Sequence, residues 1–353
     1  MDCLKSCLDG LQRYVWSSTL KDSTWTSKEY EEYELEFKSY MQQNLQTLSP
    51  AEDFATEHRD DPEELQRKLQ DLLELCKEAN YIVVFTGAGI STSIGLPDYR
   101  GPQGVWTRKL KGELVSDDLG LERSAQLQPS RSHWAISRLH QNGFIKFVSS
   151  TNVDGLHLKS GLPKACLAEL HGNSYVEECE SCLKPFHRSF VTRTATGLFD
   201  HRTGRCLCLD EYPFSRSGVP EAITIFSHSH FSRLDNDTGR YCELCGGPLR
   251  DIIVNFGNTF EHVPSMEAQH DAAWLHCLKA DLVLVLGSSL SILTACDLPE
   301  ECLEARDGKP DGGKMVIVNL QRTPKDPLAS LRIFAPCDEV MAFLEEALLG
   351  TER

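Results

Sequence analysis

Between Tyr81 and Thr107 the chain reads YIVVFTGAGISTSIGLPDYRGPQGVWT, and this stretch restricts the possible folds more than any other. Five apolar residues, Tyr81, Ile82, Val83, Val84 and Phe85, run without polar alternation into Thr86-Gly87-Ala88-Gly89. A strand that is apolar on both faces needs cover on both, which a parallel sheet between helix layers provides. The glycines predict a tight turn into a helix. Gly87 and Gly89 lack a Cβ, so their backbone can approach a pyrophosphate, and the first N–H groups of that helix would point at the anion. Ser91 and Thr92 stand where a G-x-G-x-x-G fingerprint has its third glycine, which argues against an ordinary hydride-transfer site. Beyond the turn, Pro97, Asp98, Tyr99, Arg100, Gly101 and Pro102 place an acid and a guanidinium close together.

Further elements of the same kind follow. Pro62 and its acidic neighbours open a segment with Leu65, Leu69, Leu72, Leu73 and Cys76 at helical spacing. Residues 129–142 read as a second helix ended by Gly143, and residues 339–349 as the closing one. Apolar strands are expected over 144–150, 251–256, 281–286 and 314–319, ending in small or polar residues such as Gly287-Ser288-Ser289 and Asn319. The pattern predicts an α/β fold with a doubly wound, Rossmann-like parallel sheet, whose ligands gather at the carboxyl ends of the strands.

A chain of 353 residues can hold a large and a small lobe around separate cores. Its net charge of −16 argues against nucleic-acid binding over the whole surface, so such contact is expected to be local at most. No stretch approaches the about 18 apolar residues of a membrane span, and no secretory signal opens the chain. Most of the 14 cysteines are scattered, as in the reduced thiols of the cytosol or nucleus. Residues 1–60 form an acidic extension, with Glu29, Glu31, Glu32, Glu34 and Glu36 interleaved with Tyr30, Tyr33 and Phe37. It reads equally as a loosely held helix or a mobile arm.

Three motifs carry chemistry. The second strand ends in Thr151-Asn152-Val153-Asp154, where an amide and a carboxylate can reach ribose hydroxyls and a carboxamide. His171 lies in Glu169-Leu170-His171-Gly172-Asn173, and a neutral imidazole there can accept a proton. Cys179 and Cys182 form one C-x-x-C, and Cys242 and Cys245 another, the donor set of a closed, structural Zn²⁺ site. The interval between the pairs is long and contains Cys206-Leu207-Cys208. The two-residue gap of Cys242 and Cys245 chelates better, so residues 197–234 read as an inserted surface loop that includes His228 and His230.

GAGIS followed by GLPDYRGPQGVWT resembles the opening of the sirtuin (Sir2) family, in a spelling similar to its class IV branch. The resemblance implies a catalytic domain over residues 61–349. A large lobe of 61–172 and 250–349 would carry a zinc lobe of 173–249. It implies NAD as co-substrate and one structural Zn²⁺ per chain. NAD would meet Gly87, Ala88, Gly89, Ser91, Asp98, Tyr99, Arg100 and Trp106 in the first loop, then Thr151, Asn152, Val153 and Asp154. Thr151 stands where the family has Gln. Gly287, Ser288, Ser289, Asn319, Leu320, Gln321 and Cys337 would complete the cofactor site. His171 would be the general base, assisted by Asn152, and Val254 and Phe256 would flank an acylated lysine, with Asn258 in place of the family's Glu.

The implied activity is NAD-dependent protein-lysine deacylation, with histones as expected substrates. The implied location is the nucleus, with the cytoplasm as the alternative. Mono-ADP-ribosyl transfer from the same pocket, or a weakly catalytic chromatin-binding role, are the competing readings.

Overall fold

The computed structural model describes residues 56–110, 127–192, 237–254, 264–291, 295–304 and 310–350. The acidic extension up to residue 55, the inserted loop at 197–234, Phe256 and Asn258 lie outside the described residues. Of Trp106 the backbone is described but the side chain is not.

Helix α1 spans Pro62–Glu78, where Asp61 Oδ1 accepts from the N–H groups of Glu63 and Glu64 at 3.1 and 2.9 Å. It buries Leu69, Leu72, Leu73 and Cys76, as their spacing predicts. Strand β1 (Ile82–Thr86) follows, then two single 3₁₀ turns at Ala88–Ile90 and Thr92–Ile94, and a short α2 (Val105–Leu110). Helix α3 (Arg131–Gln141) is capped by Ser130 and leads to β2 (Ile145–Ser150), α4 (Leu156–Lys159) and β3 (Leu167–Glu169). Next come β4 (Val176–Cys179), β5 (Pro185–His187), β6 (Asp237–Tyr241) and β7 (Pro248–Asp251). The chain then forms α5 (Pro264–Lys279), β8 (Leu282–Leu286), β9 (Lys314–Val318), β10 (Leu331–Ile333) and α6 (Cys337–Leu349).

Six strands form a parallel sheet in the order β10-β9-β8-β1-β2-β3. Alternate residues of each central strand serve opposite faces. Val84, Leu284 and Val316 join the core beneath α1, α3 and α6, while Val83, Val283 and Met315 join the one beneath α5. The doubly wound sheet read from the sequence is therefore present. Its order reverses between β1 and β8, and a crevice opens beyond the carboxyl ends of strands at such a point.

The other four strands make an antiparallel sheet, β5-β4-β7-β6, that carries the cysteine pairs. At its centre Glu177 is fully buried, and the Nε atoms of Arg188 and Arg240 each reach it at 2.6 Å. Glu177→Ala would leave two guanidiniums facing each other without their counter-ion. An expected loss of about 3–5 kcal/mol would appear as a lower urea midpoint.

The structure corrects two expectations. Of the strand expected at 251–256, the described residues 251–254 are not part of the parallel sheet, because β7 ends at Asp251 in the small one. Asp251 Oδ1 captures the N–H of Ile253 at 2.9 Å, an Asx-type turn that stops the ladder. The glycine turn leads into 3₁₀ turns rather than the expected α-helix, since Gly89 N–H donates across to the Gly287 carbonyl at 2.8 Å and Gly95 turns left-handed at φ 91°. A helix N-terminus of the Rossmann kind is absent among the described residues of this loop.

Candidate active site

The loops after β1 and β8 interlock at the reversal point. Gly87 N–H donates to Leu286 O at 3.0 Å, and Gly287 N–H to Val318 O at 2.9 Å. A Cβ on Gly87 or on Gly89 would stand 2.7 Å from the backbone of the 287–288 turn, and Gly287 itself sits at φ 61°. These glycines are thus demanded by each other, besides leaving backbone open to a ligand.

On one side of the crevice lies the Asp98–Arg100 loop. Asp98 Oδ1 accepts from Gly101 N–H at 3.0 Å, and burial pushes its carboxyl above the usual range. Burial also raises the Tyr99 phenol to about 12. The Arg100 carbonyl accepts from Gln321 Nε2 at 3.3 Å, while its guanidinium, whose pKa burial lowers, has only a long 3.5 Å bond to Ser289 Oγ. A desolvated cation with so little bonding from the described protein groups suits a diphosphate. Asn319 Nδ2 reaches the Ser288 carbonyl at 3.3 Å, and Leu320 accepts from His58 N–H at 2.7 Å. Cys337 lies behind this edge. Its thiol is buried, raised to about 12 and directed to Val318 O at 3.8 Å, so it stays protonated and contributes shape rather than charge.

On the other side the end of β2 is laced to β1. Thr151 gives both its N–H and its hydroxyl to the Thr86 carbonyl, at 3.0 and 3.2 Å, and Asn152 Nδ2 reaches Gly87 O at 3.1 Å. Asp154 accepts from Ser91 Oγ at 2.8 Å and from Leu156 N–H at 3.0 Å, and the Val153 carbonyl takes Ser174 N–H. His171 closes the group. Its Nδ1 lies 3.1 Å from the Thr151 carbonyl, and an oxygen there can only accept, so the neutral ring carries its proton on Nδ1 and a lone pair on Nε2. Gly172, at φ 86°, turns the chain so that His171 O takes Val254 N–H at 3.0 Å. Burial lowers the His171 pKa to about 4.

The structure therefore brings Gly87, Gly89, Ser91, Thr151, Asn152, Asp154 and His171 together on one flank, and Arg100, Ser288, Ser289, Asn319 and Gln321 on the other. Sequence reasoning placed Cys337-Asp338 at the cofactor site but did not foresee that Asp338 accepts from Ser93 Oγ at 2.7 Å and Ser132 N–H at 2.8 Å and so ties the glycine loop to α3. It also overlooked Glu169, which holds Asn173 Nδ2 at 2.6 Å across the His171 turn. Only adjacency to chosen motifs could have signalled either.

Two buried histidines, His133 and His157, and the half-buried His171 shape the acid response. His133 and His157 are lowered to about 3, and His171 to about 4, chiefly by burial. Below about pH 6.5 the unfolded chain binds protons that the folded chain refuses, so stability falls as pH drops through that window. The slope is about 1.4 kcal/mol per pH unit for each group. Melting temperatures between about pH 7 and pH 5 should decline, and less so in His133→Gln.

The four cysteines fit a metal. Their Sγ atoms all lie within 4.8 Å of one another, with Cys179 to Cys245 at 3.4 Å and Cys182 to Cys242 at 3.7 Å. Disulfides need about 2.05 Å, whereas thiolates on a tetrahedral Zn²⁺ with bonds of about 2.3 Å stand about 3.8 Å apart. Cys206 and Cys208 lie outside the described residues. Among those residues no helix is long and apolar enough to cross a membrane.

Fold and site together define an α/β protein with a doubly wound parallel sheet, a crevice at its reversal point and a four-cysteine module. The sequence profile of the Sir2 family matches residues 87–294, and the chain belongs to that family. It is 41% identical over 292 residues to the NAD-dependent protein deacetylase sirtuin-7 of Bos taurus, covering 82% of this chain and 62% of that one. It is 40% identical over 287 residues to the NAD-dependent protein deacetylase SRT1 of Arabidopsis thaliana, covering 80% and 50%. The chain thus spans between half and two thirds of the length of these relatives. A solved Sir2 complex with p53 peptide and NAD⁺ matches with a TM-score of 0.50 at 26% identity, over 79% of this chain and 98% of that one. Another, a variant with deacetylated p53 peptide and 3'-O-acetyl-ADP-ribose, matches with a TM-score of 0.51 at 25% identity, over 80% and 99%.

Proposed function

We propose that the chain is an NAD-dependent protein-lysine deacylase that uses His171 as general base. The observation that carries this is the state of that ring, which is neutral, half-buried, anchored through Nδ1 on the Thr151 carbonyl and left with a lone pair at Nε2. NAD, when bound, supplies an electrophilic ribose carbon that accepts the acyl oxygen as nicotinamide leaves.

The chain's own residues bind, orient and exclude water. Arg100 with Gly287, Ser288 and Ser289 would face the diphosphate, and Asn319 to Gln321 the adenosine ribose. Asp98 and Asn152 would orient the nicotinamide end. Asp154, which already fixes Ser91, has further lone pairs for the carboxamide. Gly87, Ala88, Gly89, Tyr99, Trp106, Thr151, Val153 and Cys337 would shape the walls. His171 Nε2 would take the proton of a ribose hydroxyl, and positioning rather than base strength would supply the rate, since an imidazole of pKa about 4 is a weak base. Val254, paired through its backbone to the His171 carbonyl, and Phe256 would flank the stem of an acyl-lysine. The Cys179, Cys182, Cys242 and Cys245 shell would hold Zn²⁺ with no position left for water, so its part is structural.

Histone substrates and the nucleus belong to the same proposal, supported by the class IV resemblance and by the sirtuin-7 relatives. Incubating acetyl-histone peptides with NAD, followed by mass spectrometry, should give one deacetylated peptide for each nicotinamide released. Nicotinamide in excess, with ADP-ribose on protein, would instead support ADP-ribosyl transfer. Release of neither would end both readings.

A further inference from the structure

Beneath the crevice runs a buried chain of polar groups to which none of the foregoing assigns a role. His157 on α4, with 3% of its surface exposed, places Nε2 2.9 Å from Thr86 Oγ1. Thr86 Oγ1 donates to Ser150 Oγ at 2.8 Å, and Ser150 Oγ receives the backbone N–H of Asn152 at 3.1 Å. With the Thr86 hydroxyl donating to Ser150, Nε2 of His157 is the donor to Thr86. Its Nδ1 is then a bare lone pair, and that atom is buried without a partner among the described residues. A buried acceptor left unpaired costs less than a buried N–H, which favours the same tautomer.

The neighbouring ring agrees. His133 Nδ1 receives Ser130 N–H at 3.3 Å, which puts the His133 proton on Nε2, also buried without a partner. The two rings lie 4.7 Å apart, so an orphan donor and an orphan acceptor occupy adjacent side chains. Asp154 favours charge on His157 and His133 opposes it, while Asp338 acts on His133. Burial outweighs them all.

We infer that His157 is a positioning residue for the crevice: as the neutral Nε2–H form it donates to Thr86, Thr86 donates to Ser150, and the Ser150 hydroxyl fixes the N–H of Asn152. The peptide thus held is the one whose neighbouring carbonyl, that of Thr151, anchors His171. His157 and His171 are accordingly opposite tautomers, Nε2–H and Nδ1–H, on either side of one short segment. The kinetic consequence rests on the deacylase reading, whereas the tautomer does not.

Two measurements on the full chain test this. Long-range ¹H–¹⁵N spectra of histidine-labelled protein should show His157 as Nε2–H and His171 as Nδ1–H, with neither ring titrating between about pH 7.5 and pH 5.5. A Nδ1–H or charged His157 overturns the inference. In kinetics, His157→Leu should lower kcat roughly tenfold or more at nearly unchanged KM for the acyl peptide, while His157→Asn, which keeps an N–H donor, should recover most of it. Equal losses in both variants, or none in either, overturn it as well. Should His157→Leu fail to fold, the isosteric Thr86→Val breaks the same chain and is expected to give the same kcat loss. A wild-type chain that binds NAD without deacylating would remove the deacylase reading and leave the tautomer measurement to decide this one.

Discussion

His171→Ala is expected to lower NAD-dependent deacylation by about 10²- to 10⁴-fold, the usual worth of a positioned base, while NAD still raises the melting temperature. The two effects separate because the hydrogen bonds of His171 run to Thr151 and Val254, while Arg100 acts on it only through its charge. A ring lowered to about 4 also makes a second demand. The acid limb of the rate profile should not fall through the ordinary histidine range near pH 6.5, because the free base persists well below it. Turnover that survives in the alanine variant would remove His171 from the chemistry.

Stripping the metal is expected to have the larger effect on structure. Four thiols whose sulfurs crowd within 4.8 Å repel as thiolates unless a cation joins them, and structural Zn²⁺ contributes on the order of 10 kcal/mol in small zinc domains. Elemental analysis should find one zinc per chain, and a strong chelator should abolish activity and sharply lower the melting temperature. Cys179→Ser should reproduce the loss. The change should centre on the small sheet, whose apolar cluster of described residues consists of Cys179, Cys242 and Leu249 with Phe186 against it. An apoprotein that melts like the metal-bound form would contradict a structural role.

The sequence disclosed this fold best where burial is two-sided and continuous. Ile82 to Phe85 and Leu282 to Leu286 are apolar throughout, and each pairs with parallel neighbours as expected. Strands β3 and β10 were overlooked because three residues each are too few to display a period. The strand expected past Asp251 failed because a single Asx turn overrode an apolar run. The helix expected after the glycine turn failed for a tertiary reason, since the Gly89 N–H is taken by a carbonyl far along the chain. Motifs revealed the cysteine set and the His171 turn. They could not reveal the work of Asp338 or His157, whose partners are distant in sequence.

Gly87, Gly89 and Gly287 stand so close that a methyl group on any one of them strikes backbone belonging to another turn. Mutation cannot enlarge them singly, and it cannot separate β1 from β8 without breaking the ladder from Ile82 to Thr86. Drift in nucleotide preference would have to be accommodated elsewhere, most readily in the Asp98–Arg100 loop, whose link to the neighbouring strand ends is a pair of long polar contacts. The seam between the two halves of the sheet is thereby an evolutionary fixed point, and novelty in this chain is expected at its rim.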